Sequence, residues 1–406
     1  MLSVEDIKML ARIYGTPVLF LNTEEVVKAY NHLSEALPGV KIFYALKSNN
    51  HEAIVKQLGD LGAGFDLCSN SEVALVLKHG IPMGRCIHTH PVKKKEEIEY
   101  AYDKGVRVFV VDNKNELIKL KKYAADLKLF IRLAVRNPNS LADLSRKFGI
   151  YSAEEATWLI SEAHKMGFKE FGLCFHCGSQ CENPKVYLNG IAMSKKIISR
   201  LERMDINIST IDIGGGFPVG YNMENDDLSS YCKVFYPHLK ALMQNGIEVL
   251  CEPGRYLSAR SMFLITKVIG INERKEKIWY YIDDGVYNSF SGQIYDHVEY
   301  SLSLSTASSR QKIDAVLAGP TCDSFDVVNE KMRVAKHRIG DLMVFNNMGA
   351  YTSVSASSFN GYPRTKVITL SRDWHADNDL FNIQVPISVG GGVPASKARE
   401  ESQCQP

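Results

Sequence analysis

Between about residue 23 and about residue 260, short apolar runs alternate with longer stretches whose apolar residues recur every three or four positions. The runs Lys41–Ala45, Gly64–Leu67, Cys86–His90, Val106–Val111, Leu127–Ala134, Phe171–His176, Ile211–Ile213 and Glu248–Glu252 read as strands. Stretches such as Asn113–Ala125, Ala153–Met166 and Val186–Arg203 read as helices between them. This alternation predicts a parallel sheet closed into a (β/α)₈ barrel, with an open doubly wound sheet as the competing arrangement. After about residue 261 the helical period fades. MFLITKVIGI, KIWYYIDDGVY, DAVLAG, DLMVFNN and YPRTKVITL read as strands separated by turns. The expected organisation is a barrel over 23–261 and a β-rich domain over 262–387, joined by a strand from 1–22 (Pro17–Leu21). A flexible tail is expected over 388–406.

Composition narrows the class. The 406 residues are 45% apolar and 23% charged, as in a globular protein. The 48 Lys and Arg nearly cancel the 46 Asp and Glu, which argues against a nucleic-acid partner. No apolar run reaches the ~18 residues of a membrane span, and the start lacks the pattern of a signal peptide. Nine scattered cysteines fit reduced thiols in a cytoplasmic protein.

The predicted strand ends carry Lys47, Asp66, His90, Asp112, Arg132, His176, Gly214 and Glu252. Barrel enzymes gather reactive groups there, and phosphate sites commonly follow strands seven and eight. Those two strands run into Gly214-Gly215-Gly216 and Pro253-Gly254-Arg255. Consecutive glycine amides can cradle a phosphate, although a structural turn explains them equally well. A lysine at a barrel mouth can form a Schiff base if its proton is removed, whereas most such lysines are solvated. Glu252 and Arg255 could serve a cofactor bearing both a pyridinium nitrogen and a phosphate, or form a surface ion pair. Cys174, Cys177 and Cys181 lack a second pair at zinc spacing and read as structural thiols, and no metal site is expected.

Taken together, FYALKSNN, GFDLCSNSE, FHCGSQ, DIGGGFP, CEPGRY, DDGVYNSF with YDH, GPTCDSFD and MGAYTSVSASSFNG resemble the fold type III pyridoxal-phosphate decarboxylases. The likeness is greatest to the ornithine decarboxylase branch, and the lysine, arginine and diaminopimelate enzymes share the scaffold. The resemblance implies an alanine-racemase-like barrel with a β domain, pyridoxal 5'-phosphate as cofactor, and a cytoplasmic homodimer that shares its active sites. It implies Lys47 as the Schiff-base residue, Asp66 and Glu72 as acids beside the cofactor, and Arg132 as a holder of those acids. His176 would stack on the ring, with Glu252 on the ring nitrogen. Ser179, Gly214, Gly215, Gly216, Gly254, Arg255 and Tyr351 would hold the phosphate. Cys322 would donate a proton, and Asp296, Asp323 and Tyr287 would line the site of the substrate's distal amine. Cys322 and Asp323 would come from the partner subunit, with Phe359 at the interface.

The implied reaction is decarboxylation of a basic L-amino acid, ornithine or lysine, to putrescine or cadaverine, feeding polyamine or specialised metabolism. The alternatives are a related amine-bearing substrate, an alanine-racemase-like isomerase, or a non-catalytic homologue of the antizyme-inhibitor kind. Three residues depart from the pattern. Asn137 and Pro138 stand where aspartate and serine are common, and Gln293 where an apolar residue is usual. The resemblance sets the first two at the distal end of the substrate pocket, so they bear on which amino acid is taken.

Overall fold

The computed structural model describes residues 2–138, 140, 144–220, 227–275, 277–309 and 311–370. The tail expected over 388–406 lies outside them. A first strand, β1 (Val18–Leu21), precedes the eight that build the barrel. These are β2 (Lys41–Ala45), β3 (Gly64–Leu67), β4 (Cys86–His88), β5 (Val108–Val111), β6 (Lys128–Ala134), β7 (Glu170–His176), β8 (Ile208–Asp212) and β9 (Glu248–Cys251). All pair in parallel, and β2 meets β9 to close the ring. The open doubly wound sheet is therefore excluded.

Local chemistry starts the intervening helices where the sequence allows. Asn22, Ser69 and Asn113 each accept a backbone N–H of the first turn, from Glu24 (3.0 Å), Glu72 (3.3 Å) and Glu116 (3.1 Å). The glutamates then sit where the helix dipole favours negative charge. Strand side chains alternate between two dry layers. Tyr44, Phe65, Phe109 and Ile131 belong to the main core, while Val110, Phe130, Cys174 and Leu250 form a separate cluster with Phe43. Burying each large side chain contributes about 1.5–3 kcal/mol.

The second unit contains β10 (Met262–Arg274), β11 (Lys277–Ile282), β12 (Leu302–Ser305), β13 (Lys312–Ala318), β14 (Val327–Ala335), β15 (Leu342–Phe345) and β16 (Lys366–Thr369). Its order is β12-β15-β10-β11-β13-β14. β1 adds to it, antiparallel to β10 and parallel to β16. The opening helix, Val4–Tyr14, packs Ile7 and Leu10 against Val18, Phe20, Ile265 and Val344. Among the described residues no helix is long and apolar enough to cross a membrane.

Candidate active site

Lys47 lies in a single 3₁₀ turn, Leu46–Ser48, directly after β2. Ala45 is paired in register with Asp66 of β3, so the two side chains emerge together. Lys47 Nζ is 2.7 Å from Asp66 Oδ2. The Thr89 hydroxyl donates to Asp66 Oδ1, and Asp66 is fully buried. Burial alone would lower the Lys47 ammonium, but Asp66, then Cys68 and Glu252, outweigh it and hold its pKa well above the ordinary value. The lysine therefore rests charged, with an acceptor for its proton already in contact. Glu72 accepts the Cys68 backbone N–H at 2.5 Å. Burial, then the charge of Asp66, raises Glu72 to about 7.

The wall opposite is built by β7, β8 and β9. His176 Nδ1 accepts the Gly178 N–H at 3.0 Å. Burial, then the charges of Arg132 and Lys47, push its pKa well down. The imidazole is therefore neutral, with its proton on Nε2. Arg132 itself lies with its guanidinium 5.2 Å from the Phe148 ring. The glycine run has no room for side chains. A Cβ on Gly214 (φ +69°) would lie 2.2 Å from the Phe175 carbonyl, and one on Gly216 (φ +102°) 2.4 Å from that of Gly178. Glu252 is 8% exposed, yet its Oε1 is buried without a hydrogen-bond partner among the described residues. Arg255 begins the next short helix and donates to Ser179 Oγ at 3.3 Å. Its guanidinium lies 5.0 Å from the ring of Tyr351 and forms an ion pair with Asp296. Tyr351 is held in a positive φ of 54°, with its N–H on the Ser48 carbonyl at 2.8 Å.

These groups surround one cavity of about 260 Å³, lined among others by Lys47, His176, Ser179, Glu252, Arg255 and Tyr351. Gly216, Gly254 and Asp296 also line it. The second unit covers the barrel mouth with Tyr295, Asp296, Tyr351 and Ser355. Apart from Arg132, which lies by Phe148, and Glu72, which holds the Cys68 N–H, the site residues named from the sequence fall into two groups. Lys47, Asp66, His176, Ser179, the glycines, Glu252, Arg255, Tyr351 and Asp296 come together at the barrel mouth. Cys322 and Asp323 lie elsewhere, on the loop between β13 and β14. There the Tyr287 hydroxyl donates to Asp323 Oδ2 and lowers its pKa, and the Cys322 N–H donates to Asn360 Oδ1 at 3.0 Å. Cys322 is exposed, and Tyr287 stacks on Phe359 at 4.2 Å.

Two further strand-end groups turn away from the cavity. Asp112 accepts the Gly149 N–H at 3.0 Å, and His90 packs edge-on against Phe148. The departures from the family pattern also sit outside the cavity. Asn137 is buried behind the His176–Ser179 loop, where it donates to the Cys177 carbonyl (2.7 Å) and to Cys181 Sγ (3.3 Å). Gln293 donates to the Val327 carbonyl at 3.2 Å. Pro138 is exposed. The Asn137 amide thus holds the loop that follows β7. One buried acid escaped the sequence reading altogether. Asp212 ends β8 beside Glu252 and carries no motif signal beyond its place before the glycines.

Residues 23–259 match the family described as pyridoxal-dependent decarboxylase, pyridoxal binding domain. The chain is 34% identical to the lysine/ornithine decarboxylase of Selenomonas ruminantium over 89% of its own length and 91% of that protein. It is 33% identical to antizyme inhibitor 2 of Xenopus laevis, over 92% of this chain and 87% of that one. The solved lysine/ornithine decarboxylase of Vibrio vulnificus, complexed with cadaverine, superposes with a TM-score of 0.85 at 39% identity, covering 91% of this chain and all of that one.

Proposed function

Because this chain belongs to the pyridoxal-dependent decarboxylase family, we propose that it removes the α-carboxylate of a basic L-amino acid, ornithine or lysine, to release putrescine or cadaverine and carbon dioxide. One observation carries the reading: Lys47 in contact with Asp66 faces the same cavity as the unpartnered Glu252 Oε1 and the Arg255–Ser179–glycine cradle.

The residues fit pyridoxal phosphate. Glu252 Oε1 is a buried acceptor that a ring N–H would satisfy. Gly214, Gly215 and Gly216 leave backbone surface where a phosphate needs close approach, and Arg255 with Ser179 adds charge and a hydroxyl. When bound, the cofactor supplies an electron sink for the pair left behind by the departing carboxylate. Asp66 takes the Lys47 proton, so the amine can hold the cofactor's aldehyde. Neutral His176, which lines the cavity, would offer an imidazole face to a bound ring without adding positive charge. Arg255, paired with Asp296 at the cavity, would hold the phosphate and could share its charge between the two anions. Asp296 and Asp323 are the acceptors for a distal ammonium, and Cys322 returns a proton to Cα.

The separation of Cys322 and Asp323 from Lys47 supports a homodimer in which each site takes both residues from the partner subunit. Residues 23–261 then act as the cofactor-binding unit, and 262–387 with 1–22 as the unit that carries the distal-amine and proton-donor groups. The described cysteines are all free thiols, which supports a cytoplasmic setting, and putrescine or cadaverine as the product would give the chain a place in polyamine synthesis.

The test is amine and carbon dioxide release from L-ornithine, L-lysine, L-arginine and meso-diaminopimelate, with and without pyridoxal phosphate, beside Lys47→Ala. Release from ornithine or lysine, lost in the variant, is the expected result. A yellow protein that consumes none of the four moves the substrate to another amine-bearing acid. A colourless, inert protein means a binding homologue like the antizyme inhibitor.

A further inference from the structure

Asp212 is the buried acid that the mechanism above leaves unused. It is fully buried at the end of β8, and Glu252, just past β9, is its neighbour. Asp212 Oδ1 accepts the Gly214 N–H at 2.8 Å. Its Oδ2 and Glu252 Oε1 are both buried without a hydrogen-bond partner among the described residues, at the ends of neighbouring strands, and the two carboxyls act on each other. They cannot move apart easily. The Glu252 N–H donates to the Gly214 carbonyl at 2.8 Å, and the Ile213 N–H to that of Leu250 at 3.0 Å.

Resting on the cofactor site read above, we propose that Asp212 is a positioning residue that acts through Glu252. With Oδ1 tied to Gly214, it sets a second buried carboxyl against Glu252 and so keeps a proton between Glu252 and the ring nitrogen of a bound pyridoxal cofactor.

Two carboxyls packed together in a dry site cannot both ionise cheaply, so one proton stays with the pair. Burial, then Asp212 and Asp66, raise Glu252 well above the carboxylate range, and burial raises Asp212 to about 6. The other groups facing the pair do not undo this. Lys47 is engaged by Asp66, and Cys174 and Cys251 are buried thiols pushed far up by burial. A ring nitrogen facing Glu252 inherits the same repulsion as extra proton affinity. That proton is what makes the ring an electron sink.

The experiment uses the holoprotein with ring-¹⁵N pyridoxal phosphate and Asp212→Asn. Asparagine keeps an oxygen for the Gly214 N–H but removes the ionisable group. The expected result is a protonated ring nitrogen in the wild type and one that loses its proton at least about one pH unit lower in the variant, roughly tenfold in proton affinity. The alkaline limb of kcat should move with it while KM stays within about twofold. An unchanged nitrogen signal and pH profile in Asp212→Asn would overturn the proposal and leave Asp212 as a cap for Gly214. Should the variant fail to fold, infrared spectra of the cofactor-free wild type and Glu252→Gln decide. The proposal requires a protonated-carboxyl band at pH 7 in the wild type minus Glu252→Gln difference spectrum, where the contribution of Glu72 cancels, and the lack of such a band overturns it. A wild type that binds no cofactor defeats the site reading itself, which separates the two failures.

Discussion

Glu72 is a part-buried carboxyl raised from 4.5 to about 7 by desolvation and then by Asp66. Its sign follows from linkage. The folded state holds this proton more tightly than the unfolded chain, so stability is full below pH 4.5 and falls as pH rises toward 7. Up to about 3 kcal/mol is at stake for a shift of this size. Denaturant midpoints of the cofactor-free protein should therefore drop between about pH 4.5 and 7, and Glu72→Gln should flatten the drop. At this scale the sequence disclosed most of the cavity. Lys47, His176 and Glu252 stand beside strands, where the barrel geometry makes their direction legible. Asp212 and Thr89 stayed hidden, because one buried acid before a glycine run, or one threonine after a strand, looks like any other. Only the fold brings Thr89 to Asp66 across the β3–β4 edge.

Elements explain what single residues cannot. The loop from β7 to Ser179 is pinned from behind by Asn137, and the glycines after β8 are pinned by backbone. Asn137→Asp would place a charge against Cys177 and Cys181 in a dry layer. The expected cost is about 2–4 kcal/mol, read as a lower denaturant midpoint with the preference between ornithine and lysine unchanged. Gly214→Ala adds a Cβ 2.2 Å from the Phe175 carbonyl at a left-handed φ. It should weaken pyridoxal phosphate by about tenfold or more in a fluorescence titration, since the whole turn must shift. Strands were legible where they are apolar throughout, as in β5 and β15. β12 and β14 were not foreseen. VVNEKMRVA alternates buried Val328, Met332 and Val334 with exposed charges, and its Glu and Lys weaken the strand signal. β4 stops at His88, two residues early, because the chain turns there to carry Thr89 toward Asp66.

At the scale of the molecule, Lys47 at the barrel mouth and Cys322 on the loop between β13 and β14 lie apart in one chain, and the proposed homodimer would bring such groups together. Mixing inactive Lys47→Ala with inactive Cys322→Ala should restore about a quarter of wild-type sites, because half of the dimers then hold one intact site. No recovery after verified exchange would mean that each chain works alone. Topology was only partly legible here, since an apolar strand such as Val18–Leu21 does not announce its partner. Its placement has a consequence for synthesis. Val18 pairs with Ile265 and with Lys366, so the barrel is threaded between the first strand of the outer sheet and its neighbours. On a ribosome adding ~5–20 residues per second, that strand waits roughly 12–50 s for β10. Four consecutive buried apolar residues are exposed meanwhile, and the nascent barrel closes first. The sheet that takes in Val18–Leu21 therefore forms after the barrel strands have been made.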